Sequence, residues 1–311
     1  MRRRSKLTVV GAVLIAASVA TVGLVVTPSV SQAVKPPKPP KPYYLSLGDS
    51  YSVGYQPGLG ATAGYTSYVA KKAKMTLENF GCGGATTGSI LTAIGCTESG
   101  YGPPALIDPV AYPTTTQEQA AVDFIAAPAN YGLVGMITVS IGGNDVTACA
   151  SAANPITCVV GVQTTIQTNV TSLVTTLDSA LTANGDSSAK IVGLTYPDVI
   201  LGDYVYPSGS PNVTLANESV VAFDALINPT LKTAYTSVAG GSFVNVTQAP
   251  YKKATSGDDT ALTTTAKLSP YGTIPAAVWE ICKLTYYCSV GNIHANTKGY
   301  TFIAKLVVAD L

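Results

Sequence analysis

Tyr43-Tyr44-Leu45-Ser46-Leu47-Gly48-Asp49-Ser50-Tyr51-Ser52 is an apolar run that ends in a glycine turn and a serine. A strand that is apolar at nearly every position has both faces buried, as in a parallel sheet covered by helices on each side. Four more runs of this kind follow, at residues 76–80, 135–141, 191–196 and 242–246. Between them lie segments whose apolar residues fall three or four apart. The clearest carries Val159, Val162, Ile166, Val170, Leu173, Leu177 and Leu181, the spacing of one helix face. Weaker helical patterns occupy residues 64–74, 116–127, 216–238 and 297–309. Strands alternating with helices predict an α/β fold around a five-stranded parallel sheet. In such sheets a ligand site lies beyond the C-terminal strand ends.

Composition bounds the function. The 311 residues are 47% apolar and 11% charged, which suits one large α/β domain or two small ones and excludes a disordered chain. The formal charge is +1, but Arg2, Arg3, Arg4 and Lys6 all belong to an N-terminal leader without acidic residues. Without residues 1–33, 14 Lys and Arg face 17 Asp and Glu, a net of −3. A mildly acidic, charge-poor surface is a poor match for nucleic acid or anionic lipid. The leader itself reads as a secretory signal: a basic start, an apolar stretch over residues 8–26, and Ser31-Gln32-Ala33 as a cleavage site. The competing reading is a retained membrane anchor. With cleavage, residues 34–42 form a Pro/Lys-rich extended spacer and residues 43–311 the folded domain, with no stable membrane insertion.

Six cysteines fit export to an oxidising space. Fifteen pairings are formally open, but the residues fall into three local couples, Cys82 with Cys96, Cys149 with Cys158, and Cys282 with Cys288. Each bridge would close a short loop for about 2–3 kcal/mol in the chain-entropy view. A metal site is the alternative, but there is no Cys-x-x-Cys and only one histidine, so neither a metal nor a cofactor is expected.

Three strand ends and that histidine carry the chemistry. Ser50 follows the first strand and a glycine turn, where a nucleophile is presented or where a serine simply caps a helix. The second strand runs into Asn79-Phe80-Gly81-Cys82-Gly83-Gly84-Ala85-Thr86-Thr87, whose glycines can expose backbone N–H groups to a ligand. It lacks the Gly-Lys-Ser/Thr ending of a nucleotide triphosphate loop. The third strand runs into Ile141-Gly142-Gly143-Asn144-Asp145, where the Asn144 amide could donate to an oxyanion or occupy a left-handed turn. His294, in Gly291-Asn292-Ile293-His294, is the only imidazole that could serve a serine nucleophile.

Taken together, Gly48-Asp49-Ser50-Tyr51-Ser52, Asn79-x-Gly81-x-x-Gly84-x-Thr86, Gly142-Gly143-Asn144-Asp145 and the His294 segment resemble the four blocks of the SGNH hydrolases, or GDSL esterase/lipase family, in order and spacing. The resemblance implies a three-layer α/β/α, flavodoxin-like fold and a cofactor-free hydrolase. It further implies Ser50 as nucleophile, His294 as base, and an oxyanion hole made of the Ser50 N–H, the Gly84 N–H and the Asn144 amide. The local cysteine pairs and Tyr196-Pro197 look most like secreted actinobacterial esterases and lipases of this family. One departure stands out. The family often carries Asp three residues before the histidine, where this chain has Gly291. Some members orient the histidine with a main-chain carbonyl there, so the Gly291 carbonyl is the expected acceptor. The rival is an acid from another loop, with Asp198, Asp203, Asp258, Asp259 and Glu280 as candidates. The Gly-x-Ser-x-Gly motif of α/β-hydrolases does not occur.

These readings predict a monomeric, secreted carboxylic-ester hydrolase acting on a small-molecule or lipid ester. Residues 199–213 and 251–287 are expected loops at the site end of the sheet. Their Tyr204, Tyr206 and Trp279 are candidate substrate contacts, either as part of an apolar acyl lining or as platforms for an acetylated polysaccharide. A non-catalytic binding protein on the same scaffold is the alternative of a different class.

Overall fold

All five apolar runs form strands of one sheet in the computed structural model, which describes residues 39–61, 64–96, 102–247 and 262–311. Strand β1 is Tyr43–Gly48, β2 Thr76–Asn79, β3 Val134–Ser140, β4 Lys190–Leu194 and β5 Gly241–Val244. They lie in the order β2-β1-β3-β4-β5, and every neighbouring pair is parallel. This is the flavodoxin-like order. Leu45 is in register with Glu78 on one side and with Ile137 on the other. Leu45, Leu47, Ile137, Val139, Ile191 and Val192 are fully buried, as continuous apolar strands require.

Helices cover both faces. Tyr65–Ala73 packs with the last helix, Thr297–Asp310, while Gln117–Ala126 and Asn228–Tyr235 flank the long helix Pro155–Ala183. The long helix starts where its sequence says it should. Asn154 accepts the Thr157 N–H, and Pro155 occupies a first-turn position that needs no hydrogen bond. Its buried residues include Val159, Ile166, Val170, Leu173, Leu177 and Leu181, nearly the whole stripe read from the sequence. The expected helix over 216–238 is instead Val213–Val220, a π-helical turn Val221–Ile227, and Asn228–Tyr235.

The three local disulfides are present, Cys82–Cys96, Cys149–Cys158 and Cys282–Cys288, and they fit an oxidising compartment. Residues 40–311 form one compact unit. The leader and most of the spacer lie outside the described residues. Among the described residues, no helix is long and apolar enough to cross a membrane. The expected loop over 251–287 needs correction. Residues 251–261 lie outside the described residues, and the remainder holds the hairpin Thr265–Leu268 with Gly272–Pro275 and the helix Ala276–Leu284. That helix buries Ala277, Val278 and Ile281 in a second apolar cluster, away from the main core.

Candidate active site

The turn after β1 is fixed by contacts that leave room for little else. Gly48 has φ +136°, and a Cβ there would lie 2.1 Å from the Ser140 carbonyl oxygen, so only glycine lets β1 turn this close to β3. The Gln117 side chain holds it from both sides, accepting the Gly48 N–H at 2.6 Å and donating to its carbonyl at 3.2 Å. Asp49 then caps the one-turn helix Ser50–Val53, accepting the Tyr51 N–H at 2.9 Å and the Tyr196 hydroxyl at 2.6 Å. Burial pushes the Asp49 carboxyl up to about 7. Ser50 is the first residue of that turn.

His294 comes from the other end of the chain. It lies on the short strand Asn292–Ala295, and Asn296 then caps the last helix by accepting the Lys298 and Gly299 N–H groups. The Tyr51 hydroxyl donates to the Ile293 carbonyl at 2.7 Å, which ties this strand to the serine turn. Tyr51 stacks on the imidazole at 5.9 Å, and Tyr55 meets it edge-on at 4.6 Å. The result is a 2.7 Å contact between His294 Nε2 and Ser50 Oγ, across 244 residues of sequence.

The acceptor on the other ring nitrogen is not the expected one. His294 Nδ1 lies 2.8 Å from Asn292 Oδ1, which also accepts the His294 backbone N–H at 3.1 Å. A backbone N–H can only donate, so the Asn292 atom facing it is the carbonyl oxygen, and the same oxygen requires the proton on Nδ1. Nε2 therefore turns its lone pair toward the Ser50 hydroxyl. Gly291, whose carbonyl was the expected partner, closes the turn Tyr287–Val290 at φ +67°. A Cβ there would lie 2.5 Å from the Tyr206 ring, so an acid at this position would need that ring to shift. Three of the rival acids are engaged elsewhere. Asp198 accepts from Ser219, Asp203 accepts from Tyr287, and Glu280 pairs with Lys283. Asp258 and Asp259 lie outside the described residues. Burial lowers the His294 pKa from 6.5 to about 4, so its neutral form dominates at neutral pH.

The glycine loop and the third strand end are knitted together. Asn144, in the short helix Gly143–Thr147, donates through Nδ2 to the Ala85 carbonyl at 2.8 Å. The Asp145 carboxylate accepts the Thr87 N–H at 3.0 Å and the Thr87 hydroxyl at 2.8 Å. Gly84 sits exposed beside Ala85 with φ +77°. Ser50 and Asn144 line one cavity, whose walls are largely apolar: Tyr196, Pro197, Val199, Phe223 and Ile293.

Tyr204, Tyr206 and Trp279 do not line that cavity. Tyr204 and Trp279 pack on the second apolar cluster, and Tyr206 meets Tyr287 edge-on against Gly291. Trp279 also donates to the Lys267 carbonyl and carries the Lys283 ammonium 3.5 Å above its ring. Their place near the strand ends in sequence suggested a site role, but a local helix and its own small core absorb Tyr204 and Trp279. Conversely, Asn292 and Phe223 escaped the sequence reading. Asn292 was hidden by the search for an acid one residue earlier, and Phe223 by its place in an apolar helical pattern. Among the described residues, no group of three His, Cys, Asp or Glu side chains could hold a metal ion.

Several solved structures are similar in fold. A lipase from a goat rumen metagenome matches at 14% identity and a TM-score of 0.50, over 86% of this chain and 97% of that one. An acetylxylan esterase from Geobacillus stearothermophilus matches at 13% identity, TM-score 0.42, over 86% and 93%. A GDSL-like lipase from Bacteroides thetaiotaomicron matches at 14% identity, TM-score 0.38, over 86% of each chain. No curated protein sequence matches the chain. The family profile of the GDSL-like lipases/acylhydrolases, by contrast, matches residues 44–307, a span that runs from β1 through His294 into the last helix. The chain therefore belongs to the GDSL-like lipase/acylhydrolase family.

Proposed function

We propose that this protein is a secreted serine esterase that hydrolyses carboxylic esters of apolar acyl groups through an acyl-serine intermediate. The observation that carries the reading is the 2.7 Å approach of His294 Nε2 to Ser50 Oγ, with Nδ1 anchored on Asn292. A serine hydroxyl is a weak nucleophile at its own pKa and needs such a base. Neutral His294 takes the Ser50 proton as Oγ attacks the ester carbonyl. The oxyanion of the tetrahedral intermediate is met by the Ser50 and Gly84 N–H groups and by Asn144. One N–H of the Asn144 amide goes to Ala85, and the second is the one assigned to the oxyanion. His294 then delivers the proton to the leaving alcohol. In the second half-reaction it takes a proton from the water that attacks the acyl-serine, and returns it to Ser50 Oγ as the acid leaves.

The apolar cavity beside Ser50 favours an acyl group over a sugar, because none of the three expected stacking aromatics lines it. The leader at residues 1–33 and the three disulfides support secretion. Burst kinetics with p-nitrophenyl butyrate test the reading: one equivalent of p-nitrophenol released faster than steady turnover supports an acyl-enzyme. Absence of any hydrolysis across short and long esters refutes it.

Asn292 enters as the positioning residue for the base. Asn292→Ala is expected to lower kcat by about 10- to 100-fold, since proton transfer by a positioned base contributes about 10²–10⁴-fold in all. A pH profile separates this role from mere structural support. Activity needs neutral His294, so kcat/KM is expected to fall as pH drops through about 4, the value to which burial lowers the imidazole. Asn292→Asp places a carboxylate at the Nδ1–H, favours the imidazolium, and is expected to move that acid limb upward. An acid limb that stays in place in Asn292→Asp refutes the assignment.

A further inference from the structure

The Ser50 cavity has a neighbour. A second cavity, which shares Phe223 with the Ser50 cavity, lies between the long helix and the Val213–Val220 helix. Its walls include Val146, Ile156, Val159, Ile200 and Leu215. Two pairs of consecutive residues divide between the two spaces. Thr147 and Val199 line the Ser50 cavity, and their chain neighbours Val146 and Ile200 line the second. The two cavities thus share part of one wall. Phe223 is the one residue among their linings that borders both. It is 3% exposed and sits on the π-helical turn Val221–Ile227, a backbone geometry that recurs at functional positions. The second cavity offers little to a polar ligand. Its polar side chains are Glu218 and Ser219, and the Ser219 hydroxyl is already committed to Asp198.

We propose that Phe223 sets the acyl-chain length this enzyme accepts. Its ring ends the acyl space that starts at Ser50, and the cavity behind it is a second acyl subsite that takes the distal methylenes of a longer chain once the ring is removed. The inference rests on the esterase reading above. An apolar chain is the occupant because the space is lined mostly by apolar residues and shares the Phe223 side of the Ser50 cavity.

The test is kcat/KM for p-nitrophenyl esters from acetate to palmitate, measured on the native protein, Phe223→Leu, Phe223→Ala and Phe223→Ala/Ala150→Phe. Ala150 lines only the second cavity of the two. The native protein is expected to prefer short acyl groups. Phe223→Ala is expected to shift the optimum to longer chains, since each further buried methylene raises kcat/KM by about fourfold and three raise it roughly 50-fold. Phe223→Leu, which leaves a smaller gap and keeps the packing if the alanine variant fails to fold, is expected to shift it less. Ala150→Phe refills the second cavity and is expected to restore the native profile. A native optimum at the longest chains overturns the inference. So does an unchanged chain-length profile in folded variants that still react with a fluorophosphonate. If the native protein neither hydrolyses any ester nor reacts with the fluorophosphonate, the esterase reading itself fails.

Discussion

Ser50→Ala and His294→Ala are each expected to reduce kcat for a p-nitrophenyl ester by roughly 10⁶-fold, and the double variant is expected to be little worse than either single one. The non-additivity follows from the geometry. With Nε2 2.7 Å from Oγ, the role proposed for the imidazole is to take the Ser50 proton, so removing one partner would idle the other. The folded state should survive both changes. Ser50 starts a turn whose cap is the Asp49 carboxylate rather than the Ser50 hydroxyl, and the strand bearing His294 is held by the Tyr51 bond to Ile293. Thermal unfolding and circular dichroism close to native, together with the loss of turnover, are the expected pair of results. Additive losses in the double variant would mean that the two residues act in separate steps.

Asn144→Ala is expected to lower kcat by about 10²–10³-fold with a smaller change in KM, because a donor to the oxyanion acts mainly in the transition state. Losing the amide also frees the Ala85 carbonyl, to which Nδ2 donates at 2.8 Å. The neighbouring Asp145 grip on Thr87 remains and keeps the glycine loop docked on the third strand end. That separation makes the kinetic split readable. A rise in KM with kcat unchanged would make Asn144 a ground-state binding residue and leave the oxyanion to backbone donors alone.

How far the sequence speaks for the fold can be judged strand by strand. Residues 43–48, 76–80, 135–141, 191–196 and 242–246 reveal themselves because a strand buried on both faces has no polar alternation to confuse it with an exposed one. Their order in the sheet does not follow from those patterns. It came with the family resemblance, and the pairings of β1 with both β2 and β3 agree with it. The long helix was legible through its three- and four-residue spacing, since it covers the sheet along much of its length. The π turn at Val221–Ile227 was not, because one extra residue in a helix leaves an apolar pattern nearly intact.

The site shows the same division. Ser50, His294 and Asn144 are marked by type and position, because few side chains can act as nucleophile, base or amide donor at strand ends. Asn292 is marked by neither. Its role depends on a backbone turn that brings one short side chain back onto both the His294 N–H and Nδ1, and side-chain direction in a turn is not written in residue spacing. Tyr204, Tyr206 and Trp279 stay outside the Ser50 cavity for the opposite reason. Large aromatics near a strand end suit a binding site, but here a helix and a hairpin of their own gather Tyr204 and Trp279 into a second core.

The central claim is that Ser50 is the nucleophile of an acyl-transferring site served by His294. Its most direct test is covalent labelling of the folded protein with a fluorophosphonate, followed by peptide mapping by mass spectrometry. The account predicts one adduct per chain, on the peptide that contains Ser50, absent in Ser50→Ala and formed far more slowly in His294→Ala. A stoichiometric adduct on any other serine, or undiminished labelling in Ser50→Ala, would contradict it.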